Sequence, residues 1–276
     1  MLLTTNPMKI SIITPTYNSE NTILRNTQSI ISQTYREFEH IIVDNLSKDN
    51  TVQLIKNDYN GAGLSDKLKI ISEKDAGISD AFNKGIRAAT GDVIAILNSD
   101  DYFYDKYVLE KILNEFVDKN ILFVHGNIFF YDNVYGSNLR KPLLCPITKA
   151  IPYNHPTMFF RKYIYENYGI FDTSYKYAMD FEFVCRLERH ILNLREKGAY
   201  VEGNPLVVMN AGGTSWENEI SSIHEVKRAL KKYDFWNWDA RKNYFFRLFR
   251  TWLKQIFNSL NFNALVKFWR NEKWKG

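Results

Sequence analysis

The sequence predicts an α/β fold, in which helices cover both faces of a mostly parallel central sheet, followed by a separate amphipathic helical tail. Strand and helix patterns alternate through the first hundred residues, the fourth strand segment is apolar on both faces, and the positive charge collects in residues 235–276. The length of 276 residues and the apolar share of 45% fit one large globular domain or two small ones.

Four segments of the first hundred residues are predicted to be buried strands, because each is a short run rich in β-branched residues. They cover residues 9–14, 39–44, 67–72 and 92–97. Parallel sheets bind ligands beyond the carboxyl ends of their strands, near the point where the strand order reverses. The polar residues at those ends, Asp44, Asp75 and Asp100 among them, therefore predict the position of a site.

Apolar residues at helical spacing predict helices between and after these strands, over residues 20–33, 51–57, 79–89 and 107–118. Beyond residue 120 the pattern predicts extended segments over 122–132 and 140–147, and helices over 163–168 and 181–190. Gly212 and Gly213 predict a loop.

The composition excludes several classes of protein. Two cysteines, Cys145 and Cys185, are too few for a disulfide framework or a Cys-rich zinc module, and they fit free thiols of a reducing compartment. No run of 18 apolar residues occurs, and residues 1–7 lack the charged and apolar regions of a secretory signal. We therefore expect a cytoplasmic protein.

The charge distribution sets residues 235–276 apart as a tail. They contain nine basic and two acidic residues, a balance of +7, whereas the whole chain carries +5. The rest of the chain is thus near neutral, which argues against a nucleic-acid-binding body. The tail is predicted to meet something anionic.

The tail also has the pattern of an amphipathic helix. Its apolar residues form two adjacent stripes at i+4 spacing, and Arg247, Arg250 and Lys254 are predicted on the opposite side. A basic helix rich in Trp and Phe fits the interface of an anionic membrane, and the alternative is packing on the domain or on a second subunit. The stripes are Phe245, Phe249, Leu253 and Phe257, and Leu248, Trp252, Ile256 and Leu260.

Several catalytic and nucleotide-binding motifs do not occur in the sequence. There is no GxGxxG after the first strand, and no GxxxxGK[ST], HExxH or GxSxG anywhere. The adjacent acids Asp100 and Asp101 follow the fourth predicted strand instead. They are typical either of a turn or helix cap, or of a site where a Mg²⁺ or Mn²⁺ ion is shared with substrate phosphates.

The order of the segments IITPTYN, IIVDNLSKDNT and SEKDAGISDAFNKGIRAATGDVIAILNSDD resembles that of family 2 glycosyltransferases with the GT-A fold, of the bacterial polysaccharide and O-antigen type. The resemblance covers residues 9–215. It implies a catalytic domain over 1–234, with a nucleotide-sugar-binding half (1–101) and an acceptor half (102–234). It also implies transfer of a sugar, with inversion, from a nucleotide-sugar, usually a UDP-sugar, to a glycan or lipid-linked glycan.

The resemblance assigns residues to the nucleotide-sugar site. Asp44 matches the acid that accepts a hydrogen bond from the base, although an Asx turn or helix cap is the alternative. Asp80, Asn83 and Lys84 match a helix near the donor sugar or phosphates, with a solvated helix face as the alternative. The residues implied to bind the donor are Pro15, Thr16, Tyr17, Asn18, Asp44, Lys74, Asp75, Lys84, Asn98 and Ser99.

The resemblance also implies a divalent ion, Mn²⁺ or Mg²⁺, at residues 98–101. Asn98 stands where the family's DxD motif has its first acid, so the ion depends mainly on Asp100, with Asp101 as second choice. His224 is a candidate third ligand, or else a surface histidine.

In the acceptor half, Asp180 matches the general base, Glu182 is the second candidate, and a helix N-cap is compatible with either role. His155 either contacts the acceptor or is a structural histidine.

Two alternatives to the enzyme remain, a non-catalytic nucleotide- or glycan-binding protein and a nucleotidyltransferase, although the latter favours a Gly-rich loop after the first strand. The resemblance favours a peripheral enzyme on the inner membrane face. The donor sugar, acceptor, linkage and oligomeric state stay open at this point.

Overall fold

A computed structural model describes residues 7–132, 136–210 and 218–259. The strands are β1 (Ile10–Thr16), β2 (Phe38–Asp44), β3 (Leu68–Ser72), β4 (Val93–Ile96), β5 (Tyr102–Phe103), β6 (Phe123–Gly126), β7 (Ile128–Tyr131), β8 (Asn138–Arg140), β9 (Phe159–Arg161), β10 (Gly198–Val201) and β11 (Val207–Asn210). The α-helices are α1 (Ile23–Ile31), α2 (Thr51–Gly61), α3 (Ile78–Ala88), α4 (Val108–Glu115), α5 (Lys162–Tyr168), α6 (Met179–His190), α7 (Glu219–Lys232) and α8 (Trp238–Ser259).

The main sheet has the strand order β10-β6-β9-β4-β1-β2-β3 within the described residues. Its strands are parallel except β9, which pairs antiparallel with both β4 and β6. The chain runs outward from β1 through β2 to β3 and returns to the other side of β1 as β4. The strand order therefore reverses at β1, and the predicted, mostly parallel sheet is confirmed.

Two hydrophobic clusters cover the two faces of this sheet. Ile94 and Ile96 of β4 join the cluster that contains residues of α3 and α6, whereas Val93 and Ala95 join the cluster that contains residues of α1 and α4. This alternation explains why the strand is apolar at every position. Gly85 belongs to the same packing, because a Cβ at that position of α3 would overlap the Ile13 side chain of β1.

A second, smaller sheet with the order β5-β11-β7-β8 follows the fourth strand. The segment 122–132, predicted as one extended stretch, divides between the two sheets at Asn127. The side chain of this residue accepts a hydrogen bond from the Tyr200 hydroxyl and donates one to the carbonyl of Gly203. The extended segment predicted over 140–147 is wrong beyond its first residue, because β8 ends at Arg140 and Leu144 within the segment takes a positive φ of 45°.

The predicted tail helix is observed as α8, which packs on α7. Along the described parts of the chain, no helix combines the length and the apolar character needed to cross a membrane. The predicted loop at Gly212 and Gly213, and residues 260–276 of the tail, lie outside the described residues.

Candidate functional site

The carboxyl ends of β1, β2, β3 and β4 bring the first set of predicted residues to one edge of the sheet. Thr16, Asp44 and Ser72 are in register across three neighbouring strands, each at the last position of its strand. The turn that contains Asn98 and Asp100 follows β4 on the other side of β1. This edge lies at the reversal of strand order, where open α/β sheets bind ligands.

The carboxylate of Asp44 is buried and held by four donors. Oδ1 accepts from the hydroxyls of Thr16 (3.1 Å) and Ser47, and Oδ2 accepts from the hydroxyl of Ser72 (2.7 Å) and the backbone N–H of Ser47 (3.1 Å). Three of the four donors are hydroxyls, which can rotate to present their own lone pairs. A base N–H at Asp44 therefore needs a local exchange of partners rather than a movement of the backbone.

The loop beside Asp44 presents exposed side chains. Tyr17 is 57% exposed, and Asn18 takes a positive φ of 49° while its side chain accepts a hydrogen bond from the N–H of Lys48. Leu46 also has a positive φ, of 55°, and is 52% exposed. A leucine in this conformation is strained, which is typical of loops shaped for a ligand. Pro15, at the end of β1, is half-buried.

Residues 73–77 form the loop between β3 and α3. Asp75 accepts a hydrogen bond from Gly77 N–H (2.9 Å), and its own N–H donates to the Asn45 side chain. The ammonium of Lys84 binds the carbonyl of Lys74 (2.6 Å) and forms a salt bridge with Glu73 at 2.9 Å. The hydrogen bond to Glu73 raises the pKa of Lys84, so this side chain ties α3 to the loop as a cation.

The turn over residues 98–101 is held by hydrogen bonds from α1, from β11 and from the loop after β1. Asn26 of α1 donates to the carbonyls of Asn98 (2.9 Å) and Asp101 (3.0 Å), and Asn210 of β11 donates its N–H to the carboxylate of Asp101 at 3.3 Å. The hydroxyl of Ser99 lies 3.0 Å from that of Ser19. Asp101 is buried, and its carboxylate also accepts from Asn98, so Asp101 stabilises the turn.

The chemistry of this turn fits a divalent cation. Burial raises the pKa of Asp100, and burial together with the charge of Asp100 raises that of Asp101 well above its usual range. A cation relieves both effects. The side-chain oxygen of Asn98 is buried and has no hydrogen-bond partner among the described residues. Asp100 and the Asn98 oxygen are hard oxygen ligands of the kind that Mg²⁺ and Mn²⁺ prefer.

His224 lies on α7, where its Nδ1 is 2.9 Å from the hydroxyl of Tyr244 on α8. Within residues 7–132, 136–210 and 218–259, no three His, Cys, Asp or Glu side chains are grouped closely enough to hold a metal ion. A role for His224 as a third ligand therefore stays a prediction.

Asp180 lies in the first turn of α6 and is half-buried. Burial lowers the pKa of His155, while the negative charge of Asp180 opposes this shift. The ring of His155 also packs against Phe82 of α3, at 6.1 Å between centroids. His155 thus interacts both with the charge of Asp180 and with α3, the helix that follows the 73–77 loop.

Glu182, the second candidate for the base, is fully buried between α6 and α7. It accepts hydrogen bonds from Arg186, Tyr233 and, at 3.2 Å, Lys232. A carboxylate with three partners and no exposed surface stabilises the packing of the two helices. The structure therefore gives Glu182 a structural role.

The comparison with known families decides which class of protein this geometry belongs to. The family model described as Glycosyl transferase family 2 matches residues 11–186. The chain belongs to glycosyl transferase family 2. This confirms the resemblance seen in the sequence motifs.

Among its relatives within this family is the Escherichia coli protein WfgD, described as a UDP-Glc:alpha-D-GlcNAc-diphosphoundecaprenol beta-1,3-glucosyltransferase. It is 33% identical over 147 residues, which cover 52% of this chain and 53% of WfgD. A glycosyltransferase of Haemophilus influenzae is 34% identical over 148 residues, covering 52% of this chain and 55% of that protein. The chain spans about half the length of the curated relatives it matches.

Two solved structures share the fold. Residues 1–349 of Staphylococcus aureus TarS, in complex with UDP, have a TM-score of 0.63 and 23% identity, over 82% of this chain and 67% of that fragment. The mannosyltransferase PcManGT of Pyrobaculum calidifontis, in complex with GDP-Man and Mn²⁺, has a TM-score of 0.64 and 18% identity, over 83% of this chain and 64% of that one. The predicted GT-A fold is confirmed.

Three residues hold the backbone of this site in ways that the sequence did not predict. Asn83, expected near the donor, is buried, and it exchanges two hydrogen bonds of 2.9 Å with the backbone of Phe171. Asn26 binds backbone carbonyls of the 98–101 turn. Glu225 binds backbone N–H groups directly before α6. The usable signal for Asn26 and Asn83 is a polar residue at a buried helical position, since each lies among apolar residues of its helix.

Proposed function

We propose that the chain is an inverting glycosyltransferase, which moves a sugar from a nucleotide-diphosphate sugar, a UDP-sugar, to a hydroxyl of a glycan or lipid-linked glycan. One observation carries the proposal: helix α3 connects the donor edge of the sheet to Asp180. It begins directly after the loop of Asp75 and Gly77, and its Phe82 packs on His155, which interacts with the charge of Asp180. WfgD and TarS support a UDP-sugar as donor and, for WfgD, a lipid-linked acceptor.

In this proposal the chain's own residues perform binding and proton transfer. Asp44 and the loop around Tyr17 hold the nucleotide, and Asp100 with the Asn98 oxygen would hold Mn²⁺ or Mg²⁺, which offsets diphosphate charge when bound. Asp180 accepts the proton of the acceptor hydroxyl. The hydroxyl oxygen bonds to the anomeric carbon, and the bond from that carbon to the diphosphate oxygen breaks on the opposite side, which inverts the configuration.

The substitution Asp180→Asn tests the proposal, after a panel of nucleotide-sugars has been screened by thermal shift with Mn²⁺ to identify the donor. We expect the variant to bind the donor with unchanged affinity and to lose roughly 10²- to 10⁴-fold in kcat, the usual contribution of a general base. Wild-type turnover by the variant would overturn the assignment of Asp180. Donor binding without any transfer by the wild-type chain would favour the non-catalytic binding protein.

We propose further that α8 attaches the enzyme to an anionic membrane surface. The helix packs on the domain through Ala240, Tyr244 and Thr251, and Lys254 pairs with Glu219 of α7 at 2.8 Å. The opposite face is aromatic and points to solvent. Its residues, each more than half exposed, are Trp238, Phe245, Phe246, Phe249 and Trp252.

Charge and composition favour a membrane as the occupant of this aromatic face. Arg241 and Lys242 are exposed beside it, and the rest of the tail adds basic and aromatic residues in the sequence. Each basic residue near an anionic bilayer contributes about 1 kcal/mol, and Trp and Phe partition into the interface. A second copy of the chain is the alternative partner of the aromatic face, and the test must be able to detect it.

Vesicle binding of the double variant Phe249→Ser and Trp252→Ser tests this attachment. Against vesicles with an anionic lipid we expect at least a tenfold loss of affinity, since each aromatic contributes about 1.5–3 kcal/mol when buried. Leu192→Ser is the matched control, because Leu192 is 82% exposed on another surface. Equal binding by wild type and double variant, or a wild-type dimer that the double variant loses, would refute the membrane proposal.

A further inference from the structure

We propose that Glu225 of α7 is a positioning residue for Asp180, and this inference rests on the proposed function. The carboxylate of Glu225 accepts hydrogen bonds from three successive backbone N–H groups. The donors are Lys176 (2.9 Å), Tyr177 (2.8 Å) and Ala178 (2.9 Å), directly before α6. Asp180 follows two residues after the last of them.

The backbone that leads into α6 is fixed from another helix. The N-cap residue of α6 is Ala178, which has no side-chain acceptor of its own. Glu225, 47 to 49 residues further along the chain, accepts from the N–H of this N-cap residue and of the two residues before it. Its negative charge also suits the positive end of the α6 dipole.

The segment of residues 171–178, the strap, is held from its other side by α3. Ser79 donates to the carbonyl of Tyr175 (2.8 Å), and Asn83 exchanges two hydrogen bonds with Phe171. Asp180 is therefore placed by two sets of contacts, one from the donor-side helix α3 and one from Glu225.

The contacts of Glu225 differ in kind from those of α3. Ser79 and Asn83 bond to the strap through neutral groups. Glu225 brings a charge to the last three residues before α6, and both of its oxygens are engaged. Because a general base must lie within hydrogen-bond reach of the proton it removes, a small shift of the first turn of α6 lowers the rate of transfer. In the proposed function the donor is bound at the carboxyl ends of β1, β2 and β4, so donor affinity should not change.

The variant Glu225→Gln weakens the hydrogen bonds to residues 176–178 with little change of side-chain shape. One carboxylate oxygen becomes an NH₂ group, which faces backbone N–H donors and cannot accept from them. We expect kcat for sugar transfer to fall about 10- to 100-fold, with the donor KM and the affinity for UDP unchanged. Glu219→Gln is the matched control, since it neutralises a carboxylate of the same helix that pairs with α8 instead of the strap. We expect its kcat to stay within twofold of wild type. Glu225→Asp keeps the charge and should recover part of the loss.

A double-variant cycle separates positioning from a general structural role. If Glu225 acts through Asp180, Glu225→Gln costs little further activity in the Asp180→Asn background, because the group it places is already absent. Equal fold losses of kcat in both backgrounds, or parallel losses of kcat and UDP affinity, would overturn the inference. Unfolding of both Glu225 variants would overturn it too, in favour of a role in the fold. Wild-type activity of Asp180→Asn would instead defeat the proposed function itself.

Discussion

Replacing Asn98 by Asp restores an acid to the 98–101 turn and tests whether this turn is built for a cation. The side-chain nitrogen of Asn98 now donates to Asp101 Oδ2 at 3.3 Å, and its oxygen is buried and finds no partner in the part of the chain that the structure describes. In Asn98→Asp a carboxylate oxygen takes the place of the donor. A favourable hydrogen bond thus becomes a repulsion between two carboxylates, beside the further charge of Asp100.

The geometry gives the size of the effect. Two unit charges 3.3 Å apart repel by about 5 kcal/mol at an effective dielectric constant of about 20. Protonation limits this cost, because holding a carboxyl of pKa near 4 protonated at pH 7 costs about 4 kcal/mol. We therefore expect the variant without cation to lose roughly 2–4 kcal/mol of stability at pH 7, or roughly 5–10 °C in Tm.

The sign of the pH dependence follows from linkage. The folded state of Asn98→Asp has carboxyl pKa values raised above those of the unfolded chain. At pH values between the unfolded and the folded pKa, the folded state therefore binds more protons than the unfolded chain. The penalty is therefore absent below about pH 4 and grows as the pH rises through the raised values. A divalent cation should remove most of it and increase the Tm of the variant more than that of wild type.

Thermal unfolding with and without Mn²⁺, at pH 4.5 and pH 7, measures this. Asn114→Asp is the control, because it makes the same change at an exposed position. If Asn98→Asp were as stable as wild type at pH 7 without cation, the proposed repulsion would be absent. If Mn²⁺ stabilised both proteins equally, the turn would not be the cation site.

Three further predictions concern buried polar groups. Glu182→Gln should lose about 3–5 kcal/mol in denaturant unfolding, because it leaves charged partners on α7 and α6 without their carboxylate; a loss below about 1 kcal/mol would contradict the buried network. Burial lowers the pKa of His40 to about 3, so stability should fall by about 1.4 kcal/mol per unit as the pH drops from about 6.5 toward 3, with a flatter profile in His40→Gln. Asn26→Ala should lose about 1–3 kcal/mol and weaken the Mn²⁺-induced rise of Tm, since the carbonyls of Asn98 and Asp101 lose their donor; an unchanged Mn²⁺ response would separate Asn26 from the site.

The donor half could be predicted from the sequence because its signals are local. The first predicted strand, over 9–14, is observed as Ile10–Thr16, and the second, over 39–44, as Phe38–Asp44. Each strand is rich in β-branched residues, and each is followed by a polar cluster. The rule that parallel sheets bind ligands at the carboxyl ends of their strands then places Asp44 and the 98–101 turn at one edge without any knowledge of long-range contacts.

The acceptor half could not be predicted to the same depth, because distant contacts determine it. Nothing near residues 176–178 in the sequence shows that Glu225 will bind their N–H groups. Glu182 illustrates a different difficulty, since an acid in the first turn of a helix is typical of both a catalytic base and a buried ion pair. Glu182 comes directly before the fully buried Phe183. This position indicates an ion pair rather than a catalytic base only once the packing of α7 against α6 is known.

The orientation of α8 also depends on packing rather than on its pattern. An amphipathic helix that serves only to complete a domain buries its apolar face. Here Arg247 is half-buried, and burial lowers the pKa of its guanidinium, while Lys254 pairs with Glu219. The aromatic residues Phe249 and Trp252 remain more than half exposed on the other side. Turning a basic side toward the domain costs desolvation, which the ion pair with Glu219 offsets for Lys254 alone. The proposed attachment to an anionic membrane would account for this arrangement, because the membrane would cover the aromatic face and attract the remaining basic residues of the tail.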